Sequence, residues 1–313
     1  MLILREIVID NHSHIGKDIF HGESNIEGYM DFAKKTGINV GLLMGVPSPC
    51  NELGNVNSRI MYWKYNGNKM EYYGDKNPYK TLNYELAELL KKNTSEELQL
   101  FFVPMFHPVL DDIDEFEQML KKTEPVAIKV HGIGSGVGPD DISGEYIELL
   151  KNYDLPLIVH TDCDNGKGSI SMQYVRNINR GYNWAKFFDN NKIKGILNHG
   201  ASLDQNTFKI VNHSEYIKVA LGPDKIACLD NNRLFVDCLG NYKNFLLYLK
   251  DNLDISKIIY DADYNWNVKN ISDQDFDSVK RVHEIFNIDD SKKVLSKNLI
   301  DFNTKIRERL EKR

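Results

Sequence analysis

Short runs of apolar, β-branched residues recur along this chain, each closed by a polar residue, glycine or proline. The stretches between them repeat apolar side chains at every third or fourth position. The first pattern is that of buried strands and the second that of amphipathic helices. Eight strands are predicted: Glu6–Asn11, Asn39–Val46, Gln99–Phe106, Val126–His131, Pro156–His160, Lys194–His199, Tyr216–Leu221 and Lys257–Asp261. Helical periodicity covers Ile26–Thr36, Tyr84–Lys92, Ile113–Lys122, Ile142–Asn152, Met172–Asn190, Phe208–Val211 with its flanks, and Tyr242–Asn252. Alternation of this kind builds a parallel sheet covered by helices, and eight such units predict a (β/α)₈ (TIM) barrel. The rival, an open doubly wound sheet, wants a G-x-G-x-x-G after the first strand and finds none there. The glycine run Gly132–Gly138 follows the fourth strand instead and reads as a flexible turn.

The long gap after the second strand contains Ile60–Tyr65, then Asn66-Gly67-Asn68, then Lys69–Tyr73. Asn-Gly supplies the positive φ values of a tight turn, so this segment is expected to be a β-hairpin, part of an insertion over residues 50–77. It reads equally as a lid over substrate or as a self-packed flap or subunit contact, the second leaving a homo-oligomer open. Residues 275–313 are expected to form two flanking helices, and the whole chain, 1–313, a single domain.

Composition narrows the function classes. The chain has 39 Lys and Arg against 45 Asp and Glu, a net charge of −6, and no basic stripe of the kind that phosphate backbones require, so no nucleic-acid partner is expected. Its four cysteines form no C-x-x-C pair, and no apolar run approaches the length of a membrane span. Arg5 and Glu6 interrupt the start where a signal peptide would need an apolar core. These features predict a reduced, cytoplasmic protein with no membrane role and a small-molecule substrate.

Nine histidines are present, and six of them (His12, His14, His107, His131, His160 and His199) fall at or just after predicted strand ends. Histidines scattered through a core would show no such preference. In Asp10-Asn11-His12-Ser13-His14 the two histidines are two residues apart, so an extended chain points both to one face. With His160 and His199 closing the fifth and sixth strands and Asp261-Ala262-Asp263 following the eighth, the set offers neutral nitrogens and a carboxylate in the pattern of a catalytic zinc-type site. His107 reads as a strand terminator and Cys163 as a loop thiol. Arg59, Arg176, Arg180 and Arg233 are candidate anchors for a substrate anion.

At this point the sequence resembles the amidohydrolase superfamily of metal-dependent hydrolases, in particular the branch that includes single-metal hydrolases and decarboxylases. The resemblance rests on IDNHSH, AIKVHG, PLIVHTD, ILNHGA and IIYDADY, in the family's order, and on VLSKNLIDF near the end. It implies that His12, His14 and His160 are metal ligands, that His199 is a ligand or polarises the substrate, and that Asp263 is both ligand and general base. Asp261 and Asn265 depart from the family's pattern at the eighth strand, which leaves Asp261 as the alternative carboxylate. Lys129 stands where binuclear members carry a carbamylated lysine, implying one divalent ion, zinc first, with a second only if Lys129 is modified. Otherwise Lys129 pairs with an internal carboxylate or anchors a substrate carboxylate, and His131 either touches substrate or stabilises the turn that follows it. The implied reaction is hydrolysis of a C–N or C–O bond in a small polar substrate. The alternatives are non-oxidative decarboxylation on the same ligands and a non-catalytic metal- or ligand-binding barrel.

Overall fold

A computed structural model describes residues 7–19, 22–50, 60–162, 169–222, 242–264 and 278–312, with the backbone of 227–228 and 235–236. Arg59, Cys163 and Arg233 lie outside the described residues. From the N-terminus the elements are β1 (Ile9–Asp18), β2 (Gly22–Ser24), α1 (Ile26–Thr36), β3 (Val40–Gly45), β4 (Met61–Tyr65), β5 (Met70–Gly74), α2 (Lys80–Asn93), β6 (Gln99–Val103), α3 (Ile113–Thr123), β7 (Ile128–Val130), α4 (Gly132–Ser135), α5 (Gly144–Tyr153) and β8 (Leu157–Val159). They continue as α6 (Ile170–Ile178), α7 (Gly181–Asn191), β9 (Gly195–Leu197), α8 (Gln205–His213), β10 (Ile217–Ala220), β11 (Ala227–Cys228), β12 (Phe235–Val236), α9 (Tyr242–Asn252), β13 (Ile258–Ile259), α10 (Ser278–Ile285), α11 (Ile288–Lys292), α12 (Asn298–Phe302) and α13 (Thr304–Glu311).

Seven of the eight predicted strands contain one of these, and the first, Glu6–Asn11, overlaps β1, which runs on to Asp18. They form two parallel sheets, β1–β3–β6 with the short antiparallel β2 on the outer edge, and β7–β8–β9–β10–β13. Backbone hydrogen bonds also link the sheets on both sides. Phe106 N–H donates to Lys129 O (2.9 Å) and Lys129 N–H to Pro104 O (2.9 Å), while Asn11 N–H donates to Tyr260 O (3.3 Å) and Asp263 N–H to His12 O (3.0 Å).

The strands are buried on both faces, as parallel strands under helices should be. Along β3, Leu42 and Met44 join one apolar cluster with Phe101, Ile158, Ile196 and Ile259, whereas Leu43 joins a second with side chains of the surrounding helices. Leu299, Phe302 and Ile306 from the C-terminal helices pack into the first cluster. Among the described residues no helix is long and apolar enough to cross a membrane.

Three expectations need correction. The single helix expected over Met172–Asn190 is two, broken at Asn179. That carboxamide donates to Val137 O (2.8 Å) and accepts from Trp184 Nε1 (3.0 Å), and Gly181 then lies so close to Ala201 that a Cβ there would meet its carbonyl oxygen at 2.4 Å. The glycine run after the fourth strand is in part helical: it forms α4 and then turns at Gly136 with φ +75°. The C-terminal segment is more than two helices. After α10, α11 and α12 run together through a π turn at Lys293–Lys297, and α13 follows. Within that turn Val294 O accepts the N–H of Tyr260 (2.9 Å), and Asn298 Nδ2 reaches Ile255 O and Ile258 O, so the helix holds the approach to the eighth strand's end.

The expected hairpin forms from β4 and β5, paired antiparallel from Met61↔Gly74 to Tyr65↔Met70, with Gly67 at φ +93° in the turn. It packs on its own chain. Trp63 and Tyr72 reach the glycine run, and Tyr65 stacks on Tyr174 of α6 with ring centroids 4.0 Å apart.

Candidate metal and catalytic site

The site begins with a break in the β1 ladder. Pairing with β3 runs Ile9↔Val40 and Asp10↔Gly41, then resumes out of step at Ser13↔Leu43. A bulge of this kind redirects side chains, and this one falls on Asn11 and His12. The rings of His12 and His14 stand nearly perpendicular, 4.6 Å apart between centroids. His14 Nδ1 lies 2.6 Å from Gly45 O. A carbonyl only accepts, so Nδ1 carries the proton and Nε2 the lone pair.

Asp10, which the sequence reading passed over, organises this corner. Its carboxylate is fully buried and accepts from Ser13 Oγ (2.6 Å), Tyr29 OH (2.8 Å), Ala262 N–H (2.9 Å) and His12 N–H (3.2 Å). It therefore ties β1, α1 and the end of the eighth strand together. Burial raises its pKa to about 6 despite these donors. The signal in the sequence was an acidic residue closing an apolar strand.

At the eighth strand, Asp261 uses Oδ1 to accept the N–H of Asp263 (2.9 Å). Asp263 adopts a left-handed backbone, φ +47°. His12 Nδ1 lies 3.5 Å from Asp263 and 3.6 Å from Asp261. One ligand atom each from His12, His14 and Asp263 lies within 4.8 Å of the other two. The buried side-chain atoms that lack a hydrogen bond include both ring nitrogens of His12, Lys129 Nζ, Asp261 Oδ2 and both amide ends of Asn11 and Asn198, all on or just after the parallel strands. Such atoms are rare in proteins and call for an occupant.

Burial, then repulsion from Lys129, holds His12 well below the usual imidazole range, and the same two causes take His14 down to about 3, so both are neutral. Asp261 is pushed well above the usual carboxylate range by burial and by Asp263. Lys129 is wholly buried, and its pKa falls to about 7 because desolvation outweighs the attraction of Asp263 and Asp261.

His160 and His199 stand beside this trio, joined to each other: His199 Nε2 is 2.9 Å from His160 Nδ1, and His199 Nδ1 is 3.2 Å from Gly222 O. The carbonyl fixes the proton of His199 on Nδ1. His160 must then donate from Nδ1, which leaves the lone pair of its Nε2 for the site. His131 stacks on His160 at 4.3 Å.

His199 opens a turn whose five residues, His199 to Leu203, all have positive φ between 53° and 61°. Only Gly200 adopts this without steric cost. Ser202 Oγ donating to Asp162 O (2.9 Å) and Ala201 N–H donating to Asn198 O (3.2 Å) hold the turn.

The remaining candidates lie apart from this chemistry. Arg176 pairs with Asp162 at 3.3 Å, and Arg180 is exposed at the start of α7. His107 caps its own turn, Nδ1 accepting from Val109 and Leu110 N–H, and its backbone N–H donates to Asp111. Burial pushes the Asp111 carboxyl up to about 7. An unfolded Asp releases its proton near 3.9, so the native state binds more protons between these values and stability falls as pH rises through that window. Asp111→Asn keeps an acceptor for His107 and removes the titration. We expect the variant to gain stability over wild type at pH 8 relative to pH 5, by at most about 3 kcal/mol, since roughly two units separate pH 5 from the native value at 1.36 kcal/mol per unit. Urea denaturation at the two pH values checks this, and parallel profiles for variant and wild type would contradict it.

No protein-family model matches the sequence, and neither does any curated protein. Solved structures do match over nearly the whole chain. A probable 2-pyrone-4,6-dicarboxylic acid hydrolase of Acinetobacter baumannii, with citric acid bound, superimposes with TM-score 0.57 at 9% identity, covering 94% of this chain and 98% of that one. A Pseudomonas putida protein provisionally given the same hydrolase name reaches 0.58 at 12% identity, over 96% and 98%. An amidohydrolase of Burkholderia multivorans with bound zinc reaches 0.57 at 8%, over 94% and 98%. At these identities the likeness is one of fold, and the chain shares the fold of these hydrolases.

Proposed function

We propose that this chain is a metal-dependent hydrolase of the amidohydrolase type, in which the two sheets close as a (β/α)₈ barrel with the hairpin inserted after its second parallel strand. Closure is supported by the backbone bonds at both seams and by the inner apolar cluster that both sheets share. The observation that carries the function is the meeting of His12, His14 and Asp263 within 4.8 Å among buried polar atoms that lack hydrogen bonds.

The residues fit a divalent ion. The imidazoles are neutral, His14 is oriented by a carbonyl, and two buried acidic side chains, Asp261 and Asp263, attract the buried amine of Lys129. His12, His14, Asp263 and the Nε2 of His160 would hold the ion, with zinc the first candidate. When bound, it supplies the Lewis acidity that lets water lose a proton near neutral pH. A carbamate on Lys129 would add negative charge beside Asp261 and Asp263, so we assign one ion and an unmodified amine.

Asp263 accepts the proton of the attacking water and passes it to the leaving group. His199 holds His160 in its tautomer and lies against the reacting carbonyl. His131 presents an N–H to the substrate, and Lys129 supplies positive charge beneath it. A small carboxylated lactone or ester suits this set. The test is elemental analysis of the purified protein, followed by assay of 2-pyrone-4,6-dicarboxylate in ¹⁸O-water. We expect near-stoichiometric metal and label in the product. Release of CO₂ without label would replace hydrolysis with decarboxylation, and metal without turnover of any lactone, ester or amide would leave a binding protein.

A further inference from the structure

Gly134 is held from two sides. Its N–H donates to His131 Nδ1 at 3.0 Å, and its carbonyl accepts Trp63 Nε1–H at 3.1 Å. A ring nitrogen that accepts an N–H cannot carry a proton, so neutral His131 is the Nε2–H tautomer. That ring stacks on His160 at 4.3 Å and lies 6.1 Å from His14, which makes its remaining hydrogen a feature of the site.

The carbonyls of His131 and Gly132 are taken within α4 by the N–H groups of Ser135 and Gly136. The carbonyl of Gly134 goes instead to the hairpin. The glycines permit this approach: a Cβ at Gly134 would meet Pro47 Cβ at 2.8 Å, and one at Gly136 would meet Trp63 Cγ at 2.4 Å. Tyr72 OH adds a second bond, to Gly136 O at 3.2 Å, and the Tyr65–Tyr174 stack and Ser171 Oγ, donating to Tyr65 O at 3.3 Å, fasten the hairpin to α6. The insertion thus grips the segment that carries a site histidine.

We propose that the β4–β5 hairpin is a positioning element for His131, with Trp63 acting through Gly134 to hold the imidazole as an Nε2–H donor toward substrate. The donor role rests on the hydrolase reading above; the coupling of Trp63 to the His131 tautomer does not.

The experiment uses full-length protein labelled with ¹⁵N-histidine, its ring resonances assigned by loss of signal in His131→Gln. In wild type, His131 should show two well-separated ring-nitrogen shifts, one protonated and one accepting. Trp63→Phe keeps an aromatic ring but removes the N–H, and should draw the two shifts together while His12 and His14 keep theirs. Tyr72→Phe, which leaves the Trp63 bond in place, should not. Unchanged His131 shifts in both Trp63→Phe and Trp63→Ala would overturn the proposal, as would a His131 found protonated on Nδ1 in wild type. With an active substrate, Trp63→Phe should lower kcat/KM by about tenfold, comparable to losing a group that orients a site histidine. Zinc titration of the same variants reads the hydrolase assignment separately: loss of zinc sites in wild type would fail that assignment without touching the tautomer result.

Discussion

Replacing His12 and His14 together by alanine should empty the site of metal and reduce turnover to background. These residues supply two of the three ligand atoms that converge within 4.8 Å, and both come from one strand whose bulge sets their angle. Removing both leaves Asp263 and His160, too few to hold a hydrated divalent ion against competition from solvent. The variant should still fold, because the loss of the His14 bond to Gly45 O leaves the bulged segment held by Asp10 through Ser13, Tyr29 and Ala262. Metal content, far-UV circular dichroism and activity on one preparation read all three expectations. A folded double variant with full metal stoichiometry would make the His-x-His pair structural.

Asp263→Asn should separate binding from chemistry. The amide keeps the size of the carboxylate and one oxygen for the ion, but it cannot accept a proton. The rate should fall by about 10²–10⁴, the range for general acid–base catalysis, with much of the metal retained. The neighbouring Asp261→Asn should behave differently, because Asp261 spends one oxygen on the N–H of Asp263. An unimpaired Asp263→Asn enzyme with an inactive Asp261→Asn would exchange the two roles.

Much of this arrangement was legible in the sequence because it follows from short-range regularities. All eight strands, most of the helices and the Asn-Gly hairpin come from local periodicity and turn chemistry, and histidines at strand ends mark one rim. What escaped depends on partners distant in sequence. The bulge at Asn11 and His12 needs the register of β3, the work of Asp10 needs Tyr29 and Ala262, and the break at Asn179 needs Val137 and Trp184. The pairing of His160 with His199 was equally out of reach, since neither residue's neighbours encode it. That Asp263 rather than Asp261 converges with His12 and His14, from a left-handed backbone position, depends on the geometry of the eighth strand's end, which no local pattern announces.

The left-handed turn from His199 to Leu203 also bears on the order in which the molecule assembles. Four non-glycine residues there oppose their own backbone preference, at roughly 1–2 kcal/mol each. Their sum, about 4–8 kcal/mol, is a large fraction of the net stability of an ordinary domain, about 5–15 kcal/mol. Such a segment cannot nucleate by itself and must be imposed by neighbours already in place, here Asp162 after β8, Gly181 on α7 and Phe245 on α9. It should therefore order after those elements have docked and contribute little to the folding transition state, so that substitutions within it change the unfolding rate far more than the folding rate. His199, at the head of that turn, would be among the last residues to reach its native position during folding.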